Sequence, residues 1–195
     1  TGNVHSNTST FYNFGIYGIL AATRGGSAFY CRRCYLPFDL SGETGTATDV
    51  ELKVYMDNLG GGSKLADVIA LEATALAGST ADYGNVFSSG TTFGAKLSDI
   101  VGVSTTSAYH TFTFSTAGVA AVNSAVGTAG AGGVLTVGLI GNWFDYTGSV
   151  PASGGGYTQI QVYFQNHGTS SFRPYLDITY AAAVTGSATF FGTNF

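Results

Sequence analysis

Charge is scarce in this sequence. Only 9% of its 195 residues are Asp, Glu, Lys or Arg, where a globular domain ordinarily carries about 25%. Seven Lys and Arg against eleven Asp and Glu leave a net charge of −4, and Arg32–Arg33 is the one local basic pair. A face that grips phosphates needs clustered cations, so nucleic acid is not expected as a partner. There is no run of about 18 apolar residues to make a membrane helix, and no basic segment leading into an apolar one as in a secretion leader. The alternating runs, roughly five to eight residues long, fall short of the about 9 to 11 that a spanning β-strand needs, so membrane insertion is not expected. The sequence starts at Thr1 rather than Met, as a processed or partial product would.

What is present in quantity is apolar and small polar material: 45% hydrophobic residues, 14% aromatic, and 29 glycines. This can bury a core, and it leaves the surface to Ser, Thr, Gly, Asn, Gln and Tyr. Such surfaces suit secreted, cell-surface and viral coat proteins, where lasting contacts matter more than mutual repulsion. The composition does not shift midway, so one domain is expected.

The clearest pattern runs from Arg33 to Asp57. Cys34, Leu36, Phe38 and Leu40 alternate with Arg33, Tyr35, Pro37 and Asp39; Val50, Leu52, Val54 and Met56 alternate with Glu51, Lys53, Tyr55 and Asp57. A period of two marks a strand with one buried and one wet face. Ser41–Thr46 reads as the turn that makes the two strands a hairpin. No nearby helix is long enough to cover the apolar face, so a second sheet must.

Further strands are predicted over 65–71, 109–115, 134–140, 158–165 and 175–180. The polar, Gly-punctuated stretch 77–99 reads as a long excursion packed over one end. Helical spacing occurs once: Ser115 or Thr116 can cap a helix, Val119, Val122 and Val126 fall on one face, and Gly127 ends it. The expected fold is all-β, a jelly-roll-like antiparallel β-sandwich of residues 1–180 with one short helix at about 116–126. Residues 181–195 read as a C-terminal arm or linker. Its Phe190, Phe191 and Phe195 would each gain ~2 kcal/mol if buried on a neighbouring subunit.

Several motifs carry a family likeness. Arg33-Cys34-Tyr35-Leu36-Pro37-Phe38-Asp39-Leu40-Ser41, followed by Ala47 to Tyr55, resembles the "R-x-L-L-x-F-D-L-S … A-x-L-x-L-Y" core of DNRLRE-type jelly-roll domains, relatives of carbohydrate-binding modules. Phe172-Arg173-Pro174-Tyr175-Leu176-Asp177-Ile178-Thr179-Tyr180 is similar to their closing "R-P-x-L-x-V-T-Y" strand. Tyr109 to Asn123 is similar to their strand and short helix, and Asn13-Phe14-Gly15 to their early "N-[YF]-G". The resemblance spans about residues 3 to 180. It implies a β-sandwich of the kind found in secreted polysaccharide-acting proteins, surface adhesins and phage fibres or head decorations, with no catalytic apparatus.

No catalytic constellation emerges from the residues themselves. There is no G-x-S-x-G, and the His residues are scattered. Glu43, Glu51 and Glu72 are poorly placed to pair across a glycosidic bond; Asp39, Asp145 and Asp177 could converge. Gln159-Ile160-Gln161 and Tyr163-Phe164 faintly resemble motifs of alginate lyases, but Gln161 and Gln165 stand where those enzymes need His and Lys. Cys31 and Cys34 form a C-x-x-C, yet residues three apart on a strand point to opposite faces and cannot be bridged. Cys34 is expected in the core and Cys31 on the outside, where an intermolecular disulfide is open to it. Zinc would need two further ligands, and His5, His110 and His167 show no paired spacing. No cofactor is expected; Ca²⁺ at loop carboxylates such as Asp82 and Asp145 has no specific motif behind it, and the metal question stays open. Arg173 is expected to be structural, paired with an Asp such as Asp39.

Two functions are expected from this reading. The first is a non-enzymatic structural protein of an extracellular assembly, a phage virion decoration or fibre component on the virion surface, acting as a homo-oligomer. The second is a secreted or surface carbohydrate-binding module. There Trp143, Tyr146 and Tyr157 would stack on sugar rings of a polysaccharide while Asn142 and Asp145 supply hydrogen bonds; the competing role for Trp143 is to plug one end of the core.

Overall fold

The alternating segments are strands in the computed structural model of the chain, which describes residues 2–5, 11–12, 17–25, 28–60, 67–74, 84–89, 92–103, 107–148 and 158–182. In chain order they are β1 (Gly2–His5), β2 (Phe11–Tyr12), β3 (Tyr17–Gly25), β4 (Ala28–Asp39), β5 (Ala47–Gly60), β6 (Asp67–Ala73), β7 (Phe87–Ser89), β8 (Thr92–Phe93), β9 (Val101–Gly102) and β10 (Ala108–Thr113), then helix α1 (Thr116–Ala125), β11 (Val134–Gly141), β12 (Thr158–Tyr163) and β13 (Tyr175–Tyr180). Every pairing among them is antiparallel.

Two layers result. In one, β5 has β10 along one edge and β12 then β13 along the other. In the second, β4, β11, β6 and β9 follow one another. Strand β3 joins them, pairing with β12 and with the first half of β4. The inner faces meet in one core: Cys34, Leu36 and Leu40 of the β4 segment, Val50, Leu52, Val54 and Met56 of β5, Leu135, Val137 and Leu139 of β11, and Phe112, Ile160 and Val162 opposite. The expected all-β sandwich is what forms.

Two local expectations change. The Arg33–Asp57 stretch is not a hairpin, because β4 and β5 pair with different strands and lie in opposite layers. Both have an apolar inner face, and facing one another buries both. The connecting residues spend their hydrogen bonds elsewhere: Leu40 N donates to Gly133 O at 2.8 Å, and Gly127 N to Leu40 O at 3.1 Å. Nor is the second face of β4 wet throughout, since Arg33 and Tyr35 are both buried and only Asp39 at its end is exposed. Tyr35 joins a second core with Ile69, Leu71, Val86 and Ile140, closed over by Phe87, Phe93 and Tyr146. The described part of the excursion thus covers the outer face of a sheet rather than one end of the sandwich. Gly138 sits beneath this cover, and a Cβ there would meet Val86 Cγ1 at 2.5 Å.

Helix α1 starts where its cap predicts. Ser115 Oγ accepts from Gly118 N at 3.3 Å, and Gly118, Val122 and Ala125 turn inward. Asn123 ties it to β5: its Oδ1 accepts from Ala47 N at 2.7 Å and its Nδ2 donates to Ala47 O at 3.0 Å. The carboxamide thereby serves the backbone as a strand would.

His110 lies on the inner side of β10, half-buried, and its Nε2 has no hydrogen-bond partner among the described residues. Burial lowers its pKa, against a smaller opposing effect of a hydrogen bond to the Gly102 backbone. The native state therefore holds the neutral ring, while the unfolded chain takes up a proton below its ordinary pKa of about 6.5. Stability is fully present above that value and falls as pH drops towards the lower native pKa. Melting temperatures of wild type and His110→Gln compared at pH 7.5 and pH 5 should show a smaller acid loss in the variant; equal losses would remove His110 from the account.

Candidate functional site

Of the two outer faces, that of β4, β11 and β6 is covered, whereas that of β5, β10, β12 and β13 carries no second layer among the described residues. Its positions are the odd-numbered ones: Glu51, Lys53, Tyr55 and Asp57 of β5, Tyr109 and Thr111 of β10, Gln161 and Tyr163 of β12, Tyr175 and Asp177 of β13. Register gathers the tyrosines. Tyr109 is directly opposite Tyr55, Tyr175 opposite Lys53, and Tyr163 follows Val162, which is opposite Met56.

The rings meet in a continuous cluster. Tyr55 stands edge-on to Tyr109 at 5.4 Å between centroids and to Tyr163 at 5.1 Å, and stacks on Phe172 at 4.3 Å. Tyr109 meets Tyr175 edge-on at 5.6 Å, and His167 closes the far end against Tyr163 at 5.0 Å. Such pairs contribute about 0.5–1.5 kcal/mol each beyond area burial, so the ring positions are fixed by one another. Phe172 and His167 come from the loop between β12 and β13, which is held by its own bonds: Phe172 N donates to Thr169 O at 3.1 Å, and Arg173 Nε to His167 O at 2.9 Å. The expected pairing of Arg173 with Asp39 is replaced by this bond to the His167 carbonyl; Asp39 instead accepts from Ser41 N and Oγ.

Polar groups frame the rings. The Tyr109 hydroxyl donates to Arg173 O at 2.9 Å, and its pKa is raised, first by burial and then by Tyr175 and Tyr55. Lys53 Nζ lies 2.6 Å from Glu51 Oε2 and donates to Thr111 Oγ1 at 3.0 Å, and the hydrogen bond to Glu51 raises its pKa. Gln161 faces Asp57 across the β12–β5 ladder. Tyr109 and Tyr175 remain 37% and 47% exposed, which leaves two rings free to meet another molecule.

The residues expected to bind a glycan are elsewhere. Asn142, Trp143, Asp145 and Tyr146 lie in a π-helical turn, Asn142–Tyr146, after β11; Tyr157 and the side chains of Trp143 and Phe144 lie outside the described residues. Asp145 is committed to Arg33: Nε and one terminal nitrogen of the guanidinium donate to its two oxygens at 2.7 and 2.6 Å, and the two side chains are only 3% and 7% exposed. Arg33 also lies over the Phe87 ring at 4.8 Å, and Tyr146 packs on Phe93 at 4.9 Å. This end of the turn fastens the cover onto β4. Asp39, Asp145 and Asp177 do not converge, since Asp145 packs on the outer face of one layer and Asp177 on that of the other.

Cys34 is fully buried, and desolvation pushes its thiol pKa far up. Cys31 is in β4 by its backbone, with its side chain outside the described residues, as are Asp82, Phe190, Phe191 and Phe195. No group of three metal-ligating side chains occurs among the described residues, and no helix among them is long and apolar enough to cross a membrane. No family model matches the chain, and no curated protein matches it.

Proposed function

We propose that this protein is a non-enzymatic structural component of an extracellular assembly, foremost a phage virion decoration or fibre protein, working as a homo-oligomer through protein–protein contacts. The open tyrosine face is the observation that carries the reading. Tyrosine offers large, stiff contact area with a polar tip and is enriched where proteins meet, and here four tyrosines stand on one sheet face, mutually braced. The low charge of the chain fits permanent contacts better than free diffusion.

The same face favours a second reading, a carbohydrate-binding module. Tyr109 and Tyr175 expose rings beside Lys53 and Thr111, the mix of flat apolar area and hydrogen-bonding groups that a sugar ring requires. This moves the candidate glycan site from the Asn142–Tyr157 loop, where Asp145 is already engaged, to the sheet.

Tyr109→Ser/Tyr175→Ser tests both readings. Removing two interface anchors is expected to reduce incorporation into particles, followed by density-gradient fractionation, by at least ~10-fold, in a variant that still melts cooperatively above the assay temperature. Unchanged incorporation would end the contact reading. Loss of binding on a glycan array, with no particle association in either protein, would install the second.

A further inference from the structure

The open tyrosine face is also where the chain gathers its scarce charge, mostly of one sign. The described residues of that face include four of the eleven Asp and Glu, namely Asp49, Glu51, Asp57 and Asp177, against one of the seven Lys and Arg, Lys53. Lys53 is taken up by Glu51 at 2.6 Å. The other ion pair among the described residues, Arg33–Asp145, is buried on the opposite layer. Asp49, Asp57 and Asp177 thus have no ion-pair partner among the described residues, and Asp49 and Asp177 are exposed. Arg173, at the rim, turns its Nε to the His167 carbonyl, and the face as a whole stays acidic.

Register sets a carboxylate beside the more exposed ring. Tyr175 is opposite Lys53, and Asp177, two residues further on the same face, is opposite Glu51; this places it about 7 Å along the strand. Tyr109 meets Tyr175 edge-on at 5.6 Å, so the two rings form one aromatic platform. Such a platform attracts a cation to within about 6 Å of a ring centroid. A guanidinium suits the arrangement better than an ammonium, because it is flat enough to stack on a tyrosine while its fork of N–H donors grips a carboxylate. A second copy of this chain suits it poorly. Face to face, two copies would set these carboxylates against each other, and like charges across a contact suppress association.

We propose that the tyrosine face receives an arginine-bearing surface of a different protein, with guanidinium groups over Tyr109 and Tyr175 and one of them paired to Asp177. This rests on the contact reading above and names the partner that the face takes. Identical copies of the chain then meet through another surface.

Asp177→Asn and Tyr109→Ser/Tyr175→Ser, compared with Glu72→Gln, an exposed carboxylate of the other layer, test it in two assays. One is incorporation into particles. The other is a fluorescence-anisotropy titration of the full chain with a labelled peptide alternating Arg and Ser, and with its Lys and Glu counterparts. The wild type should bind the Arg peptide at least about fivefold more tightly than the Lys peptide and leave the Glu peptide free. Both face variants should weaken Arg-peptide binding and incorporation by about fivefold or more, and Glu72→Gln should change neither. Incorporation that falls in the tyrosine variant but holds or rises in Asp177→Asn would overturn this inference and leave the contact reading standing. Incorporation unchanged in both would end the two together. A wild type that ignores the Arg peptide, or binds it no better than the Lys peptide, would overturn the choice of arginine, and retention on a glycan array in its place would turn the face over to a sugar.

Discussion

Arg33→Met is expected to cost about 3–5 kcal/mol of folding stability, the usual result of removing one partner from a buried ion pair. At roughly 2–4 °C per kcal/mol for a chain of this size, that is a fall in Tm on the order of 10 °C. The cause is the carboxylate left behind. Asp145 is 7% exposed, both its oxygens are held by the one guanidinium, and water cannot replace that partner without lifting the Asn142–Tyr146 turn from the sheet. Met retains the aliphatic packing, so the loss isolates the charge. Arg33→Met/Asp145→Leu should regain most of it, because removing both charges also removes the desolvation penalty. Thermal and urea melts of the three proteins decide the matter: an Arg33→Met protein that melts with the wild type would show that the pair does not fasten the cover.

Phe112→Ala is expected to be of similar size, about 3–5 kcal/mol, for a different reason. Phe112 is fully buried, lies opposite Leu52 across the β10–β5 ladder, and shares one core with Leu52, Val54 and Val122. Strands on both sides hold that core at fixed spacing, so it cannot collapse into the space a phenyl ring vacates. Phe112→Leu refills most of the volume and should cost less than about 1.5 kcal/mol. Nearly equal losses for Ala and Leu in urea melts would mean that ring shape, not cavity volume, sets the cost.

The inner faces were legible in the sequence because burial imposes a period of two on each strand separately, and Cys34 through Leu40 or Val50 through Met56 show it without help from any other segment. Helix α1 was legible for the same reason, since its cap and its apolar positions are local. Partners were not. Alternation says which side of a strand is apolar but not which strand lies beside it, so β4 and β5 read as a hairpin when they in fact face one another. Arg33 and Tyr35 occupy the polar phase of β4 and read as wet, and only the segments at 84–89, 92–93 and 142–146 show that this part of the face too is covered. Asp145 stands 112 positions from Arg33, and nothing local marks it as anything but a loop acid. The tyrosine face left a fainter signal. Tyr55, Tyr109, Tyr163 and Tyr175 each occupy the outward phase of a predicted strand, and that phase repeated on four strands is the one trace of the surface that the sequence carries.

Burial of β4, β6 and β11 on two sides has a consequence for how the molecule opens. The main core depends on the facing layer and the helix; the second core depends on a small hairpin, β7–β8, and on one turn held by Arg33. Proteins open locally as well as globally, and the smaller of two such cores is the one a local opening reaches first. The smaller can open while the larger stays closed, and what it then uncovers is a strip of Tyr35, Ile69, Leu71 and Ile140 on an otherwise native protein. Such a species is adhesive without being unfolded, and its population, not that of the unfolded chain, would set how readily the protein clumps when it is warmed.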